Sequence, residues 1–323
     1  MPPPESPRLG WIGLGSMGLA MAQNIQKALT EKAMTPLCYT NRTLSRGDAL
    51  QELGGIPCPS IAELVQRCDI VFISVSDDAV HKAVIRQILA SGPITHKTIV
   101  DTTTVHPATT SSSSSLIHAR GATFIAAPVF GATPLAQTGT LLVATAGPDA
   151  ALQTISPFLE GVVARKVLHV GPEAAQALLL KTTSNYITAG LMFLMSEAHV
   201  LAEKAGLPAG VLEGLVQENF GDMAYSDSRR MTGGEYFPRE SERPWSDLEL
   251  GIKDVGIGIG VARDVGMELE VGELVMRSMR EAREYGGQRG RRLDSSSMYG
   301  IVRKNAGLEF ETEGVRKRDG EGR

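Results

Sequence analysis

Cysteine, aromatic residues and any excess of one charge are all scarce in this chain of 323 residues. Its three cysteines, Cys38, Cys58 and Cys68, are odd in number and lack the paired spacing of a disulfide framework or a zinc site, so no metal is expected and a reducing compartment fits. The 32 basic and 36 acidic side chains leave a net charge of −4, which offers no broad positive footprint for nucleic acid or for an anionic membrane surface. No apolar run crosses a bilayer's thickness without polar interruption; the longest, Tyr186 to Met195, is too short. The opening Met1 to Pro7 has three consecutive prolines and neither an apolar nor an Arg-rich amphipathic segment, so no targeting signal is expected and a cytoplasmic location is. What is present is a chain of 42% hydrophobic residues, long enough for two cored domains and suited to a small-molecule partner.

The first half alternates apolar runs with amphipathic segments, the pattern of a parallel sheet with helices on both faces. Strands are expected at Leu9 to Ile12, Pro36 to Thr40, Asp69 to Val75, Thr98 to Thr102, Ala122 to Ala126, Leu141 to Ala146 and Val163 to Val170. After Gly171 the alternation stops, and one long helix should run from Pro172 to the stop at Gly206-Leu207-Pro208. Helical runs at Val211 to Asn219, Asp247 to Val265 and Glu273 to Glu284 then predict an all-helical remainder. The fold class is therefore α/β: a doubly wound, mainly parallel sheet over 1–170, an all-helical domain over 171–306 joined by a long interdomain helix, and a charged tail over 307–323 expected to be disordered.

Gly13-Leu14-Gly15-Ser16-Met17-Gly18 matches G-x-G-x-x-G, follows the first strand and opens an apolar-periodic helix, the context that makes this motif a dinucleotide turn of the Rossmann type. Gly13 permits the tight turn, Gly15 lets backbone approach a pyrophosphate, and Gly18 lets helix and strand pack closely. An acid at the end of the second strand would select the free ribose 2′-hydroxyl of NAD; here stand Asn41-Arg42-Thr43, and Arg42 suits a 2′-phosphate, so NADP is expected over NAD. Lys181 is the only charged residue between Ala174 and Ser196, in a helix apolar on most of its circumference and so expected to be buried. An ammonium group in such a place is costly unless it lines a polar cleft, and a desolvated lysine is able to exchange a proton near neutral pH. Asn185 lies one turn further on the same face.

The chain resembles the β-hydroxyacid dehydrogenase family, which includes 3-hydroxyisobutyrate dehydrogenase and, more distantly, 6-phosphogluconate dehydrogenase. The resemblance runs in order through Gly13 to Gly18, Asp101-Thr102-Thr103-Thr104-Val105-His106-Pro107, Ala127 to Ala132 with Gly139-Thr140-Leu141, Lys181-Thr182-Thr183-Ser184-Asn185 and Lys253-Asp254. It implies that Lys181 is the general acid and base of carbonyl reduction and alcohol oxidation, that Asn185 holds the substrate, and that Thr104 and Lys253 contact the cofactor. Ser74 to Ser76, with Val75, would run along the dinucleotide. The substrate would be a small 3-hydroxy acid or its semialdehyde, and the protein a homodimer. Where the family carries Ser-Gly-Gly to hold a substrate carboxylate, this chain has Phe130-Gly131-Ala132, which weakens or moves that contact. Trp245 stands one position from the family's aromatic residue, with a cleft role and a packing role equally open. Two alternatives follow from Phe130: an imine reductase on the same scaffold, or an NADP-binding interaction module without catalysis.

Overall fold

The computed structural model describes residues 6–240 and 242–320; most of the opening segment in which no targeting signal is expected, and the last three residues of the tail, lie outside that range. The first compact unit, Met1–Lys181, is built on one sheet. Its elements are β1 (Leu9–Ile12), α1 (Ser16–Glu31), β2 (Cys38–Thr40), α2 (Asp48–Glu52), β3 (Ile56–Pro57), α3 (Ile61–Arg67), β4 (Ile70–Ile73), α4 (Asp78–Ala90), β5 (Thr98–Asp101), α5 (Pro107–His118), β6 (Thr123–Ala126), β7 (Val129–Phe130), α6 (Thr133–Gln137), β8 (Leu141–Ala146), α7 (Asp149–Ile155) and β9 (Ala164–Gly171). Strand order is β3-β2-β1-β4-β5-β6-β8-β7, with β9 on β8. Pairing is parallel from β3 across to β6 and antiparallel where β8 meets β6 and β7. The strands β1 and β4 are buried along their whole length, as strands covered on both faces must be, which is why they read as unbroken apolar runs. Local signals set the helix starts: Ser60 Oγ accepts the Glu63 amide at 3.1 Å to open α3, and Asp77 Oδ1 accepts the Val80 amide at 2.9 Å to open α4.

The three cysteines are free and buried in the layer that holds Leu64, Val65 and Ile73. The neighbouring Cys68 thiol lowers the pKa of Cys38, while burial raises that of Cys58. Among the described residues no cluster of His, Cys, Asp or Glu is arranged to hold a metal ion.

The second compact unit, Thr182–Arg323, is helical. It contains most of α8 (Ala174–Lys204), then α9 (Ala209–Thr232), α10 (Leu248–Asp264), α11 (Glu270–Gly287), α12 (Met298–Asn305) and α13 (Glu313–Gly320). The expected boundary at 170 marks the end of the sheet, but the compact units divide inside α8. Ala174, Ala177 and Leu178 of its first turns are buried in the core of the first unit beside Ile12, Ile73 and Val84. Helix α9 is broken at Gly221, whose φ of 76° takes it out of the helical region just beyond the expected end at Asn219.

Two expectations are corrected. The tail is not disordered over 307–320: Phe310 is 1% exposed, stacks on Tyr285 with ring centroids 3.8 Å apart, and is followed by α13. The tail's charges conceal this, because Arg318 spends its guanidinium on the carbonyls of Gly234 and Phe237 instead of on water. Nor is α8 buried all round: Ile187, Leu194 and Leu201, seven residues apart, are 61%, 56% and 71% exposed. Despite that apolar content, among the described residues no helix is long and apolar enough to cross a membrane.

Candidate active site

In a doubly wound sheet the ligand crevice opens at the carboxyl ends of the strands, where the order reverses. Here that point lies between β1 and β4, so the glycine turn after Ile12 faces the Ser74–Ser76 segment after Ile73. The two approach so closely that a Cβ at Gly13, whose φ is +98°, would stand 2.2 Å from the Ser74 carbonyl oxygen, and a Cβ at Gly18 would stand 2.3 Å from the Gly13 carbonyl oxygen. Gly15 differs from both: its φ is −67° and a Cβ there would meet nothing within 4 Å. Gly15 is also the N-cap of α1, and no side chain caps that helix. Open space beside first-turn amides at the positive end of a helix dipole is the cradle a pyrophosphate needs, so these residues fit a dinucleotide.

The end of β2 is tied to the same turn. Asn41 Oδ1 accepts the Leu14 amide at 2.9 Å, and its Nδ2 donates to the Thr43 carbonyl at 2.8 Å. Arg42 and Thr43 are exposed there, and between Cys38 and Thr43 there is no carboxylate to repel a phosphate. On the other side, the loops after β4 and β5 are laced together. The Thr102 hydroxyl donates to the Ile73 carbonyl at 2.8 Å, and the Val75 amide donates to Thr103 Oγ1 at 3.2 Å, with Thr104 next in sequence.

The short helix α6 packs against α1, where the Asn24 amide donates to the Ala136 carbonyl at 2.8 Å and the Thr133 hydroxyl donates to the Met17 sulfur at 3.7 Å. This brings the Phe130-Gly131-Ala132 segment beside the glycine turn. Gly131 has a φ of +125°, and a Cβ there would press on Leu135 and Leu141 at 2.9 Å, so this position has to be glycine. Lys181, half-buried, places Nζ 5.0 Å from the centroid of the Phe130 ring, a cation-π distance. The glycine turn, the β4 and β5 loops, Phe130 and Lys181 all belong to the first unit.

Within the second unit, Asn185 Nδ2 donates to Asp254 Oδ2 at 2.9 Å, and Lys253 Nζ lies 3.0 Å from Asp254 Oδ1. Asp254 thus joins two of the expected site residues through one carboxylate. Lys181 and Asn185 are one turn apart on α8, with the division between units falling just after Lys181. Trp245 is 45% exposed, which separates it from the packed core, and the amide of its neighbour Ser246 donates to Asp294 at 2.8 Å.

Sequence reasoning passed over Asp254, although the Lys-Asp pair pointed to it. It also missed the ion pair of His81 and Asp101, both 0% exposed with Nε2 and Oδ2 2.8 Å apart. Burial opposes protonation of His81, but the carboxylates of Asp101 and Asp78 outweigh it and hold the imidazole above its ordinary pKa. A histidine at an inward position of the apolar-periodic helix α4 was the available signal.

Residues 8–171 match the NAD binding domain of 6-phosphogluconate dehydrogenase, and residues 175–302 match the NAD-binding family of NADP-dependent 3-hydroxyisobutyrate dehydrogenase. An NADH-dependent oxidoreductase of Aspergillus ustus is 28% identical over 299 residues, 92% of this chain and 99% of that protein. A chloroplastic glyoxylate/succinic semialdehyde reductase of Arabidopsis thaliana is 28% identical over 280 residues, 86% of this chain and 75% of the relative. The crystal structure of a 3-hydroxyisobutyrate dehydrogenase from Salmonella typhimurium shares the fold with a TM-score of 0.77 at 21% identity, covering 91% of this chain and 99% of that one. With both halves matched in order and a glycine turn shaped for a dinucleotide, the chain belongs to the β-hydroxyacid dehydrogenase family related to 6-phosphogluconate dehydrogenase and is an NAD(P)-dependent oxidoreductase acting on CH–OH groups.

Proposed function

We propose that this enzyme moves hydride between NADP(H), in preference to NAD(H), and a small 3-hydroxy acid or its semialdehyde, with Lys181 as general acid and base. The observation that carries the reading is Lys181 itself: a half-buried ammonium held against the Phe130 ring, in the same compact unit as the glycine turn. When bound, the nicotinamide supplies or accepts the hydride. Lys181 Nζ gives a proton to the carbonyl oxygen in reduction and takes one from the hydroxyl in oxidation. The face of Phe130 attracts the ammonium and fixes the direction of Nζ, while the ring keeps water from one side of it. Asn185, its amide oriented by Asp254, holds the substrate hydroxyl or carbonyl oxygen. Thr104, Ser74 and Val75 contact the cofactor, and Gly131 and Ala132 the substrate.

The Phe130 side chain has no hydrogen-bond donor for a carboxylate, so a substrate acid is held through other groups, such as the Gly131 amide, or is replaced by a more apolar end. This same residue favours the second reading, an imine reductase; the lysine at position 181 speaks for carbonyl chemistry. The preference for NADP rests on exposed Arg42 at the end of β2 and on the absence of an acid there. The Aspergillus ustus relative is named for NADH, which makes cofactor choice a point to measure. Purified enzyme is to be screened with NADPH and with NADH against glyoxylate, succinic semialdehyde, short aldehydes without a carboxylate, and cyclic imines. Turnover of the aldehydes with NADPH, and an Arg42→Ala variant that loses NADPH affinity while keeping NADH affinity, are the expected results. Turnover of imines alone would replace the carbonyl reading, and equal use of NADH with no effect of Arg42→Ala would remove the NADP preference.

The exposed row Ile187, Leu194 and Leu201 on α8 supports a homodimer, since a repeating apolar seam of this kind is covered when a second copy of the chain packs against it.

A further inference from the structure

We propose that the buried ion pair of His81 and Asp101 is a positioning device that holds the loops after β4 and β5 in the shape that receives the dinucleotide. The inference rests on the reading of those loops as cofactor contacts. Two ionisable groups with no solvent exposure are not explained by stability, because a buried pair is often matched or bettered by apolar residues of the same volume. Each oxygen of Asp101 has a separate task. Oδ2 faces His81 Nε2 at 2.8 Å, an ion-pair contact between two fully buried groups. Oδ1 accepts the amide of Thr103 at 3.0 Å.

The Thr103 hydroxyl in turn accepts the Val75 amide at 3.2 Å, which carries the order from β5 to the segment after β4. That segment has no freedom to shift alone, since the Ser74 carbonyl and the Val75 side chain are the nearest atoms to the missing Cβ of Gly13. Helix α4 is fixed to the same loop a second time, where Asp78 Oδ1 accepts the His106 amide at 3.2 Å. A line of contacts thus runs from His81 through Asp101, Thr103 and Val75 to the glycine turn, with Thr104 next to Thr103. Turning the Asp101 carboxylate would displace a donor and an acceptor on both walls of the crevice.

The test compares dissociation constants for NADPH and NADH, read by fluorescence on the full-length enzyme, with melting temperature. The variants are His81→Gln, Asp101→Asn, Asp101→Ala and Thr103→Val. His81→Gln and Thr103→Val should each weaken dinucleotide binding by about tenfold, the effect of one misplaced hydrogen bond. The double variant should be no weaker than the weaker single one, because both interrupt one line of contacts. Asp101→Asn keeps an acceptor for the Thr103 amide and should retain more affinity than Asp101→Ala. If every variant melts earlier yet binds both dinucleotides within about twofold of wild type, an effect too small for one hydrogen bond, the pair is merely structural and the inference is wrong. Should His81→Gln fail to fold, Thr103→Val decides the matter, since it keeps both charges. Wild-type protein that binds neither dinucleotide would overturn the functional reading itself, and this inference with it.

Discussion

Gly15→Ala separates binding from folding more cleanly than any other change at the glycine turn. The Gly15 backbone is in a region open to every residue, and an added methyl group meets no atom within 4 Å. Losing a glycine from the unfolded chain stabilises by about 0.4–1 kcal/mol, and placing alanine at an N-cap costs a similar amount. The net change should therefore stay within about 1 kcal/mol, a shift of no more than roughly 4 °C in melting temperature for a chain of this size. The space that methyl enters is where a pyrophosphate would lie against the amides of α1, and overpacking there costs about 1–3 kcal/mol, or roughly 5- to 150-fold in dinucleotide affinity. Gly18→Ala provides the contrast, because its methyl would sit 2.3 Å from the Gly13 carbonyl oxygen and must disturb the fold itself. Fluorescence titration with NADPH beside thermal melting measures both quantities. A Gly15→Ala enzyme that binds NADPH as tightly as wild type would refute the placement of the pyrophosphate, and one that melts far earlier would refute the claim of open space.

The seam on α8 predicts that Leu194→Glu with Leu201→Glu turns a dimer into a monomer in sedimentation at micromolar concentration, and a wild-type monomer would contradict it. Asp227 gives a pH dependence of stability: it is cut off from water beside Arg230, and burial pushes its pKa up to about 7. The folded protein then holds a proton that the unfolded chain releases near pH 4, so stability falls as pH rises from about 4 to about 7 and levels off above. Asp227→Asn should flatten that fall and stabilise the protein at pH 8 by up to about 4 kcal/mol in urea titrations, with little gain near pH 4. An unchanged difference between the two pH values would show that Asp227 is ionised in the fold.

Much of this was visible in residue order because the relevant signals are local. The first strand, the glycine turn and α1 follow one another without interruption, and the unbroken apolar runs of β1 and β4 belong to strands covered on both faces. The strands β3 and β7, two residues each, are too short to have a period, and they exist because neighbouring strands supply partners at Cys38 and Leu142. Phe310 was lost among charges: one aromatic residue in a tail of Glu, Arg and Lys says little until Tyr285 is seen beneath it. The apolar circumference of α8 was read as burial, whereas part of it faces outward in the single chain. His81 and Asp101, twenty residues apart, meet only because β4 and β5 are neighbours and α4 crosses between them. Phe130 was recognised as a departure from the family, but its partnership with Lys181 became evident only in the folded unit. The family match leaves the non-catalytic interaction module without support.

The central claim is that the Lys181 amine carries the proton while hydride moves. Replacing it by methionine keeps the bulk and removes the amine, so Lys181→Met enzyme saturated with NADPH and an accepted aldehyde is the direct measurement. The account predicts NADPH binding close to wild type with turnover lower by about a hundredfold or more. Turnover at the wild-type rate would contradict it.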